Sequence, residues 1–581
     1  MNLRELLEKR ASEDQPDSPA YIFLADGEDA EERLTSAQLL SAANRIGGAL
    51  RDDVAAGARV LLVYPSGLEF IKAFFGAVCA GTVAVPIYPP SRKVTTDELA
   101  HFERVAADCG AEIALTTGAY LDQLAPTIAS SPVLGGIRWL ATDALLATGW
   151  TPEAIDGDSL ALLQYTSGST SKPKGVMLTH GNLLSNMASI HEAFGGFHHR
   201  LRCASWLPLY HDMGLIGTML TPFFGGAETI FMSPAHFLQR PIRWLRMIDR
   251  YRVTVSGGPN FAYDLCVRGV STVAKTRLDL STWKVAFNGS EPVRSETLTR
   301  FRDRFADSGF ASSAFMPCYG LAESALLVAA CRFDREPSIV GDRAPHHHDG
   351  TQGQQRERVT CGPCAPSTTI TIVDPVDCSP VPPGAEGEVW VRSASVAAGY
   401  WHSPELTNHT FAARLARTDD DPDGARAAAG TWLRTGDLGR MHGDELLITG
   451  RLKDVMVING RKIHPQDVED HVQSLDRRFR LGGGIAFVVE EDGYERVALV
   501  QEVNAGSTDE AAGLAALARE FVFRRFRVAL HGIALVAPGG VPKTFNGKLR
   551  RQACRQAYAE GALPTLYAFK AGAHAVQGRR T

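Results

Sequence analysis

Residues 162–182 read LLQYTSGSTSKPKGVMLTHGN: a β-prone apolar run, a loop dense in Thr, Ser and Gly, two lysines, and then a helical pattern. Glycines let backbone N–H groups approach an anion, the hydroxyls of Thr166, Ser167, Ser169 and Thr170 add donors, and Lys172 and Lys174 supply positive charge. The stretch reads as a phosphate grip. A Walker loop would need G-x-x-x-x-G-K-[ST], but Gly168 is followed at the required place by Pro173, so that pattern fails. Neither the GxGxxG fingerprint nor the GxSxG nucleophile elbow occurs. Taken alone, such a loop is more often a connector than a nucleotide site.

Around it, apolar runs alternate with helical patterns. Residues 59–64 precede a helix near 68–79, and 82–87 precede a helix near 97–107. The rhythm returns at 253–256, 283–287 and 314–318, each run ending in Gly, Pro or Asn before a helical stretch. This predicts an α/β protein with parallel layering, in which ligand loops sit at strand carboxyl ends. From about residue 360 short β-prone runs at 369–373, 387–392 and 445–449 predict a β-subdomain reaching about 452. Near Lys453 a new unit begins, with a strand at 455–458, a helix opened by Pro465, a strand at 496–503 and a helix over about 508–526. The expected organisation is a large domain of layered α/β subdomains over 1–452 and a small mobile α+β domain over 453–581. Two polar stretches, 341–358 with His346, His347 and His348, and 418–430 with its run of aspartates, read as solvated surface loops.

A chain of 581 residues is several times the prior of about 150 for one domain, which agrees with that division. Its 45% hydrophobic and 22% charged content excludes a largely disordered or fibrous chain. With 60 Lys+Arg against 65 Asp+Glu, it lacks the excess positive charge of a nucleic-acid binder. The opening MNLRELLEKR has no apolar core of a secretory signal, and Pro65, Gly67, Glu69 and Lys72 interrupt the most apolar region, so no transmembrane helix is expected. Among ten cysteines only Cys361 and Cys364 form a CxxC pair. Without a second pair they read as reduced thiols of a cytoplasmic enzyme rather than a zinc site.

Six short motifs, in order, resemble those of the adenylate-forming superfamily of acyl-CoA synthetases, adenylation domains, luciferases and fatty-acyl-AMP ligases. Residues 165–175 resemble its phosphate loop. Gly289-Ser290-Glu291-Pro292 is similar to its adenine-facing turn, and Tyr319-Gly320-Leu321-Ala322-Glu323 to its nucleotide and magnesium motif. Thr435-Gly436-Asp437 resembles the ribose motif, Gly450-Arg451-Leu452-Lys453-Asp454 the interdomain hinge, and residues 542–548 (PKTFNGK) the motif ending in a catalytic lysine, here Lys548.

The resemblance implies ATP and Mg²⁺ as cofactors and assigns roles. The 166–174 loop would hold the β and γ phosphates, and Glu323 would position Mg²⁺ and serve catalysis. Asp437 and Arg451 would bind the ribose, Lys548 would meet the substrate carboxylate and the α-phosphate, and Lys453 would be the hinge. Each has an ordinary structural alternative: Asp437 as a turn cap, Arg451 as a surface pair, Glu323 as a helix cap, and Tyr319 as core or adenine-edge packing.

Within the superfamily, Ser205 to Gly217 (SWLPLYHDMGLIG), residues 85–90 (VPIYPP) and 463–469 (IHPQDVE) are most similar to fatty-acyl-AMP ligases. Trp206, Leu207, Met213, Gly214, Leu215 and Ile216 are candidates for an apolar acyl channel, with His211 and Asp212 near its mouth. Plain core is an equal reading for the apolar members. That branch implies activation of a medium- or long-chain fatty acid to acyl-AMP, then transfer to the phosphopantetheine thiol of an acyl-carrier protein or polyketide synthase. The associated insertion is sought between Ala330 and Cys361, with Phe333, Ile339 and Val340 as anchors. A CoA-using synthetase is the nearest alternative, followed by an amino-acid adenylation domain. A phosphotransferase and a silent ATP-binding protein are the alternatives of other classes.

Overall fold

The computed structural model describes residues 1–15, 17–90, 94–146, 150–166, 173–196, 201–342, 356–416, 430–458, 461–491, 494–543 and 549–571. The chain forms two compact units, one of residues 1–435 with 439–448, the other of 436–438 with 449–581.

Two sheets organise the large unit. The first has the order Leu327–Ala330, Phe315–Gly320, Val285–Asn288, Val255–Gly257, Arg202–Ser205, Glu228–Met232, Pro19–Leu24, Glu31–Thr35. Its inner neighbours are parallel and its two outermost pairs antiparallel. The second runs Gly399–Tyr400, Lys174–Thr179, Leu160–Thr166, Val83–Pro86, Arg59–Leu62, Ile113–Thr116, Arg138–Ala141. The strands at Val83–Pro86, Ile113–Thr116 and Val285–Asn288 are buried at every position, as parallel strands covered on both faces must be. Helix Leu68–Cys79 covers the first two of these. Ten of its twelve residues are buried, and it touches strands of both sheets, so its apolar surface is far broader than one stripe and leaves only the Glu69–Lys72 pair partly exposed.

Behind the first sheet lies a cluster of aromatic side chains. Phe301 meets Tyr263 edge-on at 5.1 Å, Phe310 at 5.0 Å and Trp283 at 6.0 Å between ring centroids, the edge-to-face geometry that aromatic quadrupoles favour. All eight tryptophans of the chain occur at or before Trp432.

A third sheet of the order Thr368–Val373, Gly387–Ser393, Leu433–His442, Glu445–Arg451 forms the strand-rich region. Strand Leu433–His442 had no clear β signature, being polar at Arg434, Thr435, Asp437 and Arg440. It is held instead by burial of an ion pair, Arg434 Nη2 to Glu388 Oε2 at 2.7 Å, with Trp390 Nε1 donating to the same oxygen at 2.9 Å. The ends of the polar stretch at 341–358 are not loop: Ile339–Asp342 pairs antiparallel with Arg356–Val359, and 343–355 lie outside the described residues. So do 417–429, which hold the aspartate run. Cys361 and Cys364 are free thiols.

The small unit has its own sheet, ordered Phe479–Glu491, Tyr494–Val503, Leu530–Val536, Thr565–Lys570. Its longest helix, Thr508–Phe526, starts on a Ser507 cap that accepts from the Glu510 N–H and stops at Arg527, which takes a φ of 57°. Leu514 and Val522 on this helix pack with Leu499 and Ile533 of the sheet.

Truncating Phe301 removes a fully buried ring from the aromatic cluster. Phe301→Ala is expected to destabilise the large unit by about 3–5 kcal/mol, read as an earlier denaturant transition in circular dichroism. Leu146→Ala, at a side chain 84% exposed, should leave that transition in place.

Candidate active site

Sheet register determines which motifs meet. In the second sheet Thr166 pairs with Lys174 across an antiparallel ladder, so these residues form the two feet of the Ser/Gly-rich loop. Ser167, Gly168, Ser169, Thr170 and Lys172 lie outside the described residues. The ladder continues on the other side: Tyr400 pairs with Val176 and Gly399 with Met177. Gly175 suits this crowding, since a Cβ there would sit 3.0 Å from Tyr165 Cζ and 3.3 Å from Trp401 Cβ and push both side chains back. The Tyr165 hydroxyl donates to Asp108 Oδ2 at 2.6 Å, which fixes the strand that leads into the loop.

In the first sheet, Tyr319 and Gly320 end strand Phe315–Gly320 and lead into a tight turn. The Leu321 N–H donates to the Leu326 carbonyl at 2.9 Å. A Cβ on Gly320 would lie 1.8 Å from that carbonyl oxygen, so only glycine fits. Inside the turn, Ala322–Ser324 forms one 3₁₀ turn that presents Glu323. The Glu323 carbonyl accepts from the Ala397 N–H at 2.9 Å, and its Oε1 accepts from the Tyr400 hydroxyl at 2.7 Å. Lys174 Nζ lies over the face of the same Tyr400 ring, 5.3 Å from its centroid. Tyr400 thereby joins a foot of the Ser/Gly-rich loop to the carboxylate, although its two-residue strand is too short for any periodicity to reveal. Burial first, and the nearby Glu323 carboxylate second, hold the Tyr400 phenol far above its usual pKa, so it stays a neutral donor.

The Gly289–Pro292 turn follows strand Val285–Asn288, whose Asn288 pairs with Pro317 of the neighbouring strand. This places the turn beside Cys318, Tyr319 and Gly320. A Cβ on Gly289 would meet Cys318 Sγ at 2.8 Å, and Ser290 takes a φ of 74°. Asn260 holds the turn: its Nδ2 donates to the Pro292 carbonyl at 2.8 Å, while its Oδ1 accepts from Asn288 Nδ2 and from the Arg294 N–H, each at 3.2 Å. Sequence reasoning missed Asn260, whose only signal was its place after Gly258-Pro259 at a strand's end. Glu291 of this turn is half-buried.

Within the large unit, adjacent strands thus bring the Gly289–Pro292 turn beside Tyr319 and Gly320, and Tyr400 links Glu323 to Lys174, which pairs with Thr166. In the other unit, Asp437 Oδ1 and Arg451 Nε are 3.1 Å apart, the carboxylate nearly buried and the guanidinium 59% exposed. Lys453 is exposed in the single turn Leu452–Asp454. Lys548 lies outside the described residues.

The acyl-channel candidates divide. Trp206 stacks on Phe237 at 4.1 Å, and Trp206, Met213, Leu215 and Ile216 belong to the buried core. Gly214 is held against Pro208, whose carbonyl oxygen would be 2.1 Å from an added Cβ. His211 Nδ1 and Asp212 Oδ1 are 2.6 Å apart, and Asp212 also accepts from the Met213 N–H at 2.7 Å. Leu207 is buried in the same core and also lines a cleft, together with Leu209, Tyr210, Phe231, Met232 and Phe70. Gln164, in the strand Leu160–Thr166, donates to the Tyr210 carbonyl at 3.1 Å, so the cleft wall and that strand share a support.

A divalent cation fits one feature of this arrangement. Glu323 Oε1 is occupied by Tyr400, whereas Oε2 makes no hydrogen bond or ion pair among the described residues. No cluster of three or more His, Cys, Asp or Glu suited to a metal occurs among them either. One open carboxylate oxygen completed by phosphate oxygens is a donor set suited to Mg²⁺.

Comparison with known proteins agrees with the motifs. Residues 7–401 match the family model of the AMP-binding enzymes. The chain is 38% identical over 576 residues to the medium-chain-fatty-acid–[acyl-carrier-protein] ligase JamA of Moorena producens, covering 97% of this chain and 95% of that protein. It is 34% identical over 564 residues to the long-chain-fatty-acid–AMP ligase FadD23 of Mycobacterium tuberculosis, covering 94% of each. It superposes with a TM-score of 0.72 and 35% identity on the crystal structure of the L. pneumophila fatty acyl-adenylate ligase in complex with acyl adenylate and pyrophosphate, covering 98% of both. Mixed α/β architecture, motif order and near full-length similarity agree, and the chain belongs to the AMP-binding enzyme family, the ATP-using adenylate-forming superfamily.

Proposed function

We propose that this chain is a fatty-acyl-AMP ligase: it adenylates a medium- or long-chain fatty acid with ATP and passes the acyl group to the phosphopantetheine thiol of an acyl-carrier protein or polyketide synthase. The observation that carries the reading is the convergence of Lys174, the Gly289–Pro292 turn and Glu323 in one unit, in a chain alike over nearly its whole length to ligases of fatty acids. The alternative is transfer to free CoA.

In the first half-reaction the fatty-acid carboxylate attacks the α-phosphate, the bond to the β-phosphate breaks, and pyrophosphate leaves. Two anions must approach, so donors and cations govern the barrier. Thr166 and Lys174, with the loop between them, would take the β and γ phosphates. Glu323 would hold Mg²⁺, which neutralises phosphate charge when bound. The Gly289–Pro292 turn and Tyr319 would flank the adenine, and Asp437 and Arg451 the ribose. Lys548 would meet the carboxylate and α-phosphate. In the second half-reaction a thiol sulfur attacks the acyl carbonyl and AMP leaves, with Lys453 as the hinge between the two arrangements. The acyl methylenes would be buried beside Leu207, each worth about 0.8 kcal/mol. No described helix is long and apolar enough to cross a membrane. The ten cysteines are free, in keeping with a cytoplasmic place of action.

Pyrophosphate release measured against a panel of acids tests the reading. Fatty acids should support it and amino acids should not, whereas fatty-acid-independent, amino-acid-dependent exchange would indicate an adenylation domain. Lys548→Ala is expected to lower kcat of adenylation by about 10²–10³-fold; wild-type turnover would remove Lys548 from the mechanism. Glu323→Gln is expected to raise the KM for Mg²⁺–ATP while leaving the KM for the acid nearly unchanged. With CoA as the only thiol, product should remain acyl-AMP, and abundant acyl-CoA would favour the synthetase.

A further inference from the structure

The site sets an electrostatic problem that neither the motifs nor the family resemblance addresses. Lys174 and Glu323 carry opposite charges and approach the same tyrosine. Left to themselves in a half-buried pocket, such groups would pair directly, since Coulomb attraction strengthens as water is excluded. A Lys174–Glu323 ion pair would neutralise the cation meant for phosphate and block the carboxylate meant for a metal. Among the described residues they form no such pair. Lys174 Nζ lies over the ring face of Tyr400, and Glu323 Oε1 accepts from the Tyr400 hydroxyl.

We infer that Tyr400 is a positioning residue that holds Lys174 and Glu323 apart, presenting its ring to the ammonium and its hydroxyl to the carboxylate so that both stay available to the nucleotide. The geometry suits a rigid spacer. Tyr400 is 6% exposed. Its N–H donates to Thr407 Oγ1 at 2.9 Å, its carbonyl accepts from the same hydroxyl at 3.3 Å, and Phe411 packs edge-on at 5.1 Å. Pairing of Tyr400 with Val176 ties its backbone to the strand that carries Lys174. A cation over an aromatic face is held weakly, by about 0.5–2 kcal/mol, and can turn to an arriving phosphate. The single hydroxyl contact leaves Glu323 Oε2 open.

The inference rests on the proposed triphosphate site, and its test separates the two. ATP binding to the full-length chain is titrated calorimetrically, without fatty acid, in the presence and absence of Mg²⁺. Tyr400→Phe keeps the ring and should leave metal-free binding unchanged, while reducing the Mg²⁺-dependent gain in affinity by about ten-fold. Added to Glu323→Gln, the same substitution should have no further effect, because its action runs through that carboxylate. Tyr400→Leu removes the spacer and should weaken metal-free ATP binding several-fold, and Glu323→Gln in the same chain should restore it. General damage to the fold could not be repaired by a second substitution at Glu323. Equal effects of Tyr400→Phe with and without Glu323, or failure of Glu323→Gln to restore Tyr400→Leu, would overturn the spacer role and leave the function standing. A wild-type chain that does not bind ATP would overturn both.

Discussion

A triphosphate site needs cations and a metal-binding carboxylate within one dry pocket, and opposite charges so placed attract each other before any ligand arrives. In the site proposed for this chain, local backbone construction would answer this by fixing each group from its own side. Lys174 is set by the ladder at the foot of its loop. Glu323 is set by a turn so tight that Gly320 tolerates no side chain. Tyr400 arrives on a third segment and touches both. In the proposed triphosphate site, rigidity of all three supports would let the charges remain unspent, a form of preorganisation.

The parallel strands supply the wider frame. Where they are buried on both faces, as at Val83–Pro86 and Ile113–Thr116, their side chains are largely apolar, and in such sheets chemistry is displaced to the loops at the strands' carboxyl ends. The Gly289–Pro292 turn and the Tyr319–Glu323 segment follow adjacent strands, so their proximity is a matter of register rather than of long-range search. Asn260, from the next strand's end, staples that arrangement with three hydrogen bonds.

Much of this was legible from residues alone. Strands at Arg59–Leu62 and Val285–Asn288, helix Leu68–Cys79 and helix Thr508–Phe526 follow apolar runs and caps whose physical cause is local. The motifs pointed to Glu323 and Lys174. What escaped was whatever depended on partners distant in sequence. Leu433–His442 is a strand because Glu388 and Trp390 satisfy Arg434, not because its own pattern alternates. Tyr400 matters through Lys174 and Glu323, far from it along the chain, and nothing within Gly399-Tyr400-Trp401 announces either. Trp206, Met213 and Ile216 were ambiguous between channel and core because both demand apolar side chains; all three are buried in the core, as is Leu207, which also borders the cleft.

The distribution of indole rings has a spectroscopic consequence. Since no tryptophan follows Trp432, emission excited selectively near the indole band originates from residues of the large unit, and the small unit is dark at that wavelength. Its tyrosines, including Tyr558 and Tyr567, are the chromophores left to report on it. A single indole introduced there would act as an unambiguous beacon, separable from a background that the native chain confines to its other part.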